Sequence, residues 1–442
     1  MKNSEHSQTI FSLSSGAGLA GVAVIRISGT KVKNCIDAMC EKPVKPRQVG
    51  LRQIYHPVSK QLLDQCLVLW FPGPNTFTGE DVVEYHIHGG RATIAVVLGA
   101  LAQMDDCRQA EAGEFTRRAF LNDRLDLVEI EGLGDLIHAQ TEVQRLQALN
   151  QSKGAASHIF NQWRSELIGV LSYLEASIDF IEEDDVSENA LTGFQDKLIH
   201  LRNDMRKHLV ESVRGEVIRD GVRVVLAGEP NVGKSSILNY LAQRDVAIVS
   251  EIPGTTRDVL EVQLDLNGIP VILSDTAGLR NSTKDEIEQI GMQRTQMAGS
   301  QADLVIWVNA GSQVRQEQLL DSEADRIFVT NKIDLQETGD LQGFGVSAKT
   351  GAGMDELIKV ISDKVSEKFG GKEPALISRE RQKSAIEKCV KHIDDALEDT
   401  TGSLELIAEH LRLAANQLGR LVGRIDVEDL LDVIFRDFCV GK

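Results

Sequence analysis

The stretch Gly228-Glu229-Pro230-Asn231-Val232-Gly233-Lys234-Ser235 constrains this chain more than any other. It follows a largely apolar, β-branched run, 222–227, and opens an amphipathic segment beginning Ser236-Ile237-Leu238. That is G-x-x-x-x-G-K-S between a strand and a helix, the setting in which the pattern has a mechanism. The glycines let successive backbone N–H groups converge on phosphate oxygens, and the helix N-terminus adds its positive end. Lys234 can reach the terminal phosphates, and the Ser235 hydroxyl can ligate Mg²⁺. The predicted ligand is a nucleoside triphosphate.

Four further patterns follow in order. Gly254-Thr255-Thr256-Arg257-Asp258 lies in a polar stretch where a threonine can sense Mg²⁺ and the γ-phosphate. Asp275-Thr276-Ala277-Gly278 ends a strand, which puts Asp275 beside the metal and the Gly278 N–H at the γ-phosphate. Asn331-Lys332-Ile333-Asp334 follows the short strand 327–330. The Asp334 carboxylate can accept the N1 and N2 protons of guanine, a donor pair that adenine lacks. Ser347-Ala348-Lys349 follows the last strand. Each fragment alone reads as a turn or a helix N-cap; all five in this order predict a GTPase. Small GTPases place a water-orienting glutamine directly after the D-T-A-G segment, whereas this chain has Leu279. Catalysis must then come from another side chain, a partner or an ion. The charged run 284–288 nearby reads, on spacing alone, as a solvated helix start.

At 442 residues the chain has room for about three domains. Residues 22–27 read as a buried strand, 66–71 as a second, 81–88 as an alternating strand and 93–104 as a helix, an α+β unit over 1–121. Beyond it, Ile159, Trp163, Leu167, Val170, Leu171, Leu174 and Ile178 recur at helical spacing, and Phe194, Leu198, Leu201 and Met205 continue it. The acidic run 182–185 between them reads as a solvated loop. Residues 218–375 alternate strands and helices as a doubly wound sheet does, with a tight hairpin at Asn267-Gly268. Helical spacing returns with Ile386, Cys389, Val390, Ile393 and Leu397. The expected architecture is multidomain: an α+β N-terminal domain and a helical domain in two parts, 122–217 and 376–442. An α/β Ras-like P-loop domain is inserted between those parts.

The polar start lacks a signal-peptide core, no apolar run approaches membrane-spanning length, and the six cysteines show no C-x-x-C spacing. Cytoplasm is the expected compartment, with no membrane or DNA partner. A net charge of −18 argues against affinity drawn mainly from phosphate contacts, so an RNA partner must meet a local patch or a second protein. Arg117, Arg118 and Arg124 are the candidates for such a patch.

Outside the nucleotide motifs stand Gly21-Val22-Ala23-Val24-Ile25-Arg26-Ile27-Ser28-Gly29, the run 71–84 (FPGPNTFTGEDVVE), the run 113–122 (GEFTRRAFLN) and the terminal Phe438-Cys439-Val440-Gly441-Lys442. With these, the chain resembles the tRNA modification GTPase family, MnmE or TrmE, along essentially its whole length. The resemblance implies an N-terminal domain that forms a homodimer and binds 5-formyl-tetrahydrofolate through Arg26, Glu84, Arg124 and Lys442. A carboxylate suits the pterin's N–H donors and cations suit the glutamate tail. The family often has lysine at Arg124 and isoleucine at Val440; the role of Cys439 stays open, a buried thiol being one reading.

The resemblance also implies a K⁺ ion in place of an arginine finger, held by Asn231 and by groups around Ser250, Ile252 and Thr255. That site is completed when two GTPase domains meet. Glu288 then orients water, and Glu288 and Lys234 are the implied catalytic residues. Ser235 and Thr256 are the implied Mg²⁺ ligands, with Asp275 behind them. Gly233, Ser236, Gly278, Asn331, Lys332, Asp334, Ser347 and Ala348 complete the implied GTP site. The implied activity is K⁺-stimulated GTP hydrolysis that drives C5 modification of the wobble uridine (position 34) of certain tRNAs. The products are aminomethyl or carboxymethylaminomethyl groups, made in a heterotetramer with the FAD-dependent partner MnmG. The competing readings are a ribosome-assembly GTPase, which would carry a basic RNA module absent after residue 370, and a folate-dependent one-carbon transferase regulated by its GTPase.

Overall fold

The computed structural model describes residues 8–16, 18–179, 188–244, 246–248, 261–275, 302–310, 324–335, 343–371, 375–399, 403–425, 434, 438 and 441. The acidic run 182–185, Ser250, Ile252, Thr255, Thr256, Gly278, Leu279, Glu288, Cys439 and Lys442 lie outside the described residues. The chain divides into two compact units: Met1–Gly134 with Ser152–Ser165 and Ala415–Lys442, and Asp135–Gln151 with Glu166–Ala414.

In the first unit, strands β1 (Thr9–Leu13), β2 (Ala20–Ser28), β3 (Gly50–Tyr55), β4 (Leu62–Phe71), β5 (Val82–Gly89) and β6 (Cys107–Gln109) form one sheet in the order β3-β4-β5-β2-β1-β6. Period-two alternation sorts its two faces. Ala23, Ile25 and Ile27 of β2 and Val83, Tyr85 and Ile87 of β5 are buried. They share a core with helices α1 (Val32–Met39) and α2 (Arg91–Leu101). The intervening positions bring Arg26 opposite Glu84 and Val24 opposite His86 on the other face. Helix α3 (Glu114–Leu121) follows, then α4 (Leu127–His138), whose Leu127 and Ile130 pack with Phe438.

The structure corrects one expectation in this unit. Arg118 is 3% exposed and offers no patch for RNA. Its guanidinium lies between Glu80 (3.1 Å) and Glu114 (3.1 Å), and Glu114 also takes two bonds from Arg108. Burial opposes ionisation of Glu114, but the Arg108 hydrogen bonds, the Glu111 backbone N–H and the charges of Arg118 and Arg108 together outweigh it and hold the carboxyl below its ordinary range. Buried charge needs such partners, and an arginine so engaged is a structural brace.

The second unit holds α5 (Glu142–Ser152), the later part of α6 (Ala155–Asp179) and α7 (Glu188–Asp220). A second sheet follows: β7 (Val222–Ala227), β8 (Glu261–Leu266), β9 (Ile269–Asp275), β10 (Leu304–Ala310), β11 (Asp325–Asn331) and β12 (Phe344–Gly345), in the order β12-β11-β10-β7-β9-β8. All neighbours are parallel except β8–β9, so the sheet carries one antiparallel edge strand. The β8–β9 turn is Asn267 (φ 55°) and Gly268 (φ 83°), the two positive dihedrals of a type I′ turn. Helices α8 (Lys234–Ala242) and α9 (Met354–Phe369) cover the sheet, and Val224, Leu226, Leu238, Ile306, Val329 and Leu357 are fully buried between them.

Helix α10 (Glu380–Glu398) packs on α7 through Cys389 and Met205, whose sulfurs are 3.8 Å apart, and Asp394 pairs with Arg202 and Arg206. The Gly215 backbone on α7 lies so close to the Ile377 carbonyl that a Cβ there would overlap it. Helix α11 (Leu404–Leu421) completes the described elements. Phe194, Leu198, Leu201, Met205, Ile386, Cys389, Val390 and Ile393 are all buried, as the helical spacing predicts. Among the described residues, no helix is long and apolar enough to cross a membrane.

Candidate functional site

The loop between β7 and α8 is built by backbone that few residues tolerate. Gly228 sits at φ 138° and Gly233 at φ 98°. A Cβ at Gly228 would overlap the Val308 carbonyl of β10, and one at Gly233 would overlap the Asn331 side-chain amide. Asn231 adopts φ 63°, a left-handed conformation asparagine enters more readily than most residues. The loop therefore turns tightly and delivers Lys234 and Ser235 at the N-terminus of α8, the positive end of the helix dipole.

The Lys234 ammonium is buried and donates to the Gly228 (2.9 Å) and Glu229 (3.0 Å) carbonyls, which draws its charge over the loop. The Ser235 hydroxyl donates to Asp275 Oδ2 at 2.5 Å, so the last residue of β9 stands directly behind the hydroxyl expected to ligate Mg²⁺. Asp275 is 1% exposed. An alcohol oxygen is a hard donor of the kind Mg²⁺ takes, and the buried carboxylate behind it fixes the direction of that hydroxyl.

The base end assembles from β11, the turn after it and the loop after β12. Asn331 Nδ2 donates to the Val232 carbonyl (2.9 Å) and its Oδ1 accepts from the Ala348 N–H (3.2 Å). Lys332 Nζ donates to the Asn231 carbonyl (2.7 Å), and the Ser347 hydroxyl donates to Asp334 Oδ1 (2.6 Å). These bonds tie the phosphate loop to the base-reading loops. Together they border a cavity of about 680 Å³ whose lining includes Gly233, Ser236, Asp334 and Ser347, with Tyr240 and Gln243 from α8. Sequence reasoning passed over Tyr240 and Gln243. They stand four and seven residues past Ser236, on one helical face, and that spacing was the available signal.

A second polar cluster lies on the open face of the first sheet. Arg26 binds Glu84 Oε1 through Nε and through a terminal nitrogen, each at 2.9 Å. Glu84 Oε2 lies 3.3 Å from His86 Nε2. The rings of Phe77 and Phe115 stand 5.4 and 5.8 Å from the Arg26 guanidinium. Arg124 is exposed, and the Ser14 hydroxyl, just past β1, donates to the Gly441 carbonyl (2.8 Å). His86, Phe77 and Phe115 were not singled out in the sequence. His86 shares the Glu84 face by strand period; the two rings require the fold.

Residues 9–124 match the family model described as the GTP-binding protein TrmE N-terminus, and residues 127–439 match that of the MnmE helical domain. A tRNA modification GTPase MnmE from Parvibaculum lavamentivorans is 45% identical over 98% of this chain and 100% of its own length. One from Rhizobium johnstonii is 46% identical over 99% of both. The chain belongs to the MnmE family of tRNA modification GTPases. It is a GTP hydrolase acting in tRNA modification, with GTP as substrate and Mg²⁺ as the accompanying ion, which bears out the reading of the five nucleotide motifs. Membership in the MnmE family leaves the ribosome-assembly alternative without support. Among solved structures, the G domain of the Thermotoga maritima FeoB iron transporter is 30% identical over 32% of this chain and 97% of its own, at a TM-score of 0.24. Era from Aquifex aeolicus is 24% identical over 38% of this chain and 66% of its own, at 0.26.

Proposed function

We propose that this MnmE-family chain is a K⁺-stimulated GTPase. Its nucleotide cycle would drive C5 modification of the wobble uridine of certain tRNAs, together with an FAD-dependent MnmG-type subunit. A formyl-tetrahydrofolate or related folate, bound in the N-terminal domain of a homodimer in the cytoplasm, would serve as the one-carbon source or as a positioning ligand. The observation that carries the reading is the joining of full-length kinship to the residue clusters above: the phosphate loop with its ties to Asp275, Asn331 and Asp334, and the Arg26–Glu84–His86 face.

Within the GTP site, Gly233, Lys234, Ser235 and Ser236 hold the phosphates, joined by Thr255, Thr256 and Gly278. Asn331, Lys332, Asp334, Ser347 and Ala348 read guanine. Ser235 and Thr256 ligate Mg²⁺, with Asp275 bonded to the Ser235 hydroxyl behind them. Leu279 can neither donate nor accept, and the family resemblance gives the water-orienting role to Glu288. Asn231 is the side chain in the phosphate loop suited to K⁺, joined by Ser250, Ile252 and Thr255. Its support is chemical: an amide oxygen is a hard neutral donor of the kind an alkali cation takes. A cation there supplies positive charge to the β/γ-bridging region, as an arginine finger does. GTP hydrolysis in Mg²⁺ is expected to fall by about tenfold or more when K⁺ is exchanged for Na⁺. Equal steady-state rates in the two salts would remove the ion from the mechanism.

The folate assignment rests on Arg26, Glu84, Arg124 and Lys442. A carboxylate already anchored by one arginine and flanked by an imidazole and two aromatic rings suits a flat heterocycle with amide-type N–H donors. Arg26→Ala frees Glu84 from its bidentate partner and is expected to weaken 5-formyl-tetrahydrofolate binding by one to two orders of magnitude, about 1.5–3 kcal/mol. Titration calorimetry on wild type and variant tests this. A wild-type chain that shows no folate binding sinks the assignment.

A further inference from the structure

Two helices of the second unit present an arrangement that neither GTP hydrolysis nor folate binding uses. His392 and Asp395 stand three residues apart on α10 and therefore share a face of that helix. His410 reaches the same place from α11. The two imidazole rings lie 6.2 Å apart between centroids, and His392, Asp395 and His410 each offer one ligand atom within 4.8 Å of the other two. All three are half-buried.

The hydrogen-bond accounting here is incomplete in a specific way. His392 Nδ1 and His410 Nδ1 are both shielded from solvent, and among the described residues neither has a hydrogen-bond partner. Buried ring nitrogens are ordinarily satisfied, because leaving one unmade costs about 1–3 kcal/mol. The neighbouring carboxylates differ just as sharply. Asp394 is neutralised by Arg202 and Arg206, whereas Asp395 has no lysine or arginine ion pair among the described residues and faces the imidazoles. Partial burial, with the nearby His410 and Lys391, depresses the pKa of His392 against the opposing pull of Asp395, which favours the neutral ligating form.

We propose that His392, Asp395 and His410 form a binding site for a divalent transition-metal ion of the zinc type, which ties α10 to α11. Two imidazoles and one carboxylate are a borderline donor set that suits Zn²⁺, Co²⁺ or Ni²⁺; Mg²⁺ and Ca²⁺ prefer oxygen alone. Three atoms on a triangle with edges no longer than 4.8 Å lie no more than about 2.8 Å from its centre. Zinc–ligand bonds are about 2.0–2.1 Å, so side-chain rotation of well under an ångström per ligand closes the site. The fourth tetrahedral position stays open to water. The consequence is mechanical: a cation held by both helices fixes the angle of the hairpin they form.

The test uses the full chain with its GTP site loaded with Mg²⁺ and GDP, so that added metal reports on other sites. With Zn²⁺ alone as the probe, wild type is expected to take up one equivalent that His392→Gln and His410→Gln each weaken about tenfold or more. The same Zn²⁺ should raise the thermal midpoint of wild type and leave that of the variants unmoved. Equal uptake by wild type and a folded double variant overturns the proposal. If the variants do not fold, Co²⁺ added to wild type decides. Strong visible absorption of a four-coordinate nitrogen–oxygen site supports the proposal, and the weak spectrum of aqueous Co²⁺ refutes it.

Discussion

Asp334→Asn is expected to lower GTP affinity by about a hundredfold or more while leaving the unfolding midpoint nearly unchanged. The carboxylate offers two acceptor oxygens to the two donors of guanine, and asparagine replaces one acceptor with an NH₂ that points donor at donor. The exchange also removes the charge that makes each bond worth about 1.5–3 kcal/mol. Ser347, whose hydroxyl donates to Asp334 Oδ1 at 2.6 Å, can still donate to the asparagine oxygen, so the loop geometry survives. Xanthosine triphosphate, with an acceptor at C2, should bind the variant better than GTP. Fluorescent-nucleotide competition measures both. Wild-type GTP affinity in the variant would place base recognition elsewhere.

Gly228→Ala should act on both the fold and the nucleotide. The residue holds φ 138°, a conformation open essentially to glycine, and a Cβ there overlaps the Val308 carbonyl of the adjacent strand. β7 and β10 are paired in register from Val224 to Ala227, so the overlap cannot be relieved without disturbing the centre of the sheet. A loss of about 2–4 kcal/mol in stability is expected, with weakened GTP binding, because the Gly228 carbonyl also orients Lys234. Thermal unfolding with and without GDP is the measurement. An unchanged midpoint would mean that Val308 yields at no cost.

The difference between what sequence disclosed and what it hid is one of range. The phosphate loop, the Asn267-Gly268 turn and the buried stripes of α7 and α10 are encoded in residues a few positions apart, where dihedral preference and helical period act directly. Arg26 and Glu84 are far apart in the chain, and their pairing depends on the β2–β5 register. Likewise, the overlap that forces glycine at position 233 comes from Asn331, across the sheet. Strand β3 announces itself poorly because Leu51 is exposed on it while Ile54 is buried. Arg118 shows the reverse failure, since a basic sequence run cannot say which of its arginines will be enclosed by carboxylates.

The contact between Gly215 and Ile377 bears on how such a chain assembles. The helices that pack as α7 and α10 are made far apart in time during synthesis, with the whole nucleotide-binding sheet between them. Closing an unstructured loop of that length costs about 4.5 kcal/mol of chain entropy, a large part of a domain's net stability. Once the sheet has folded, its two leads emerge side by side and that cost has already been met. The nucleotide domain thus serves as a clasp that lowers the entropic cost of closing the helical bundle. A lesion that slows folding of the sheet would leave the earlier helices exposed and unpaired, even though they contain no altered residue.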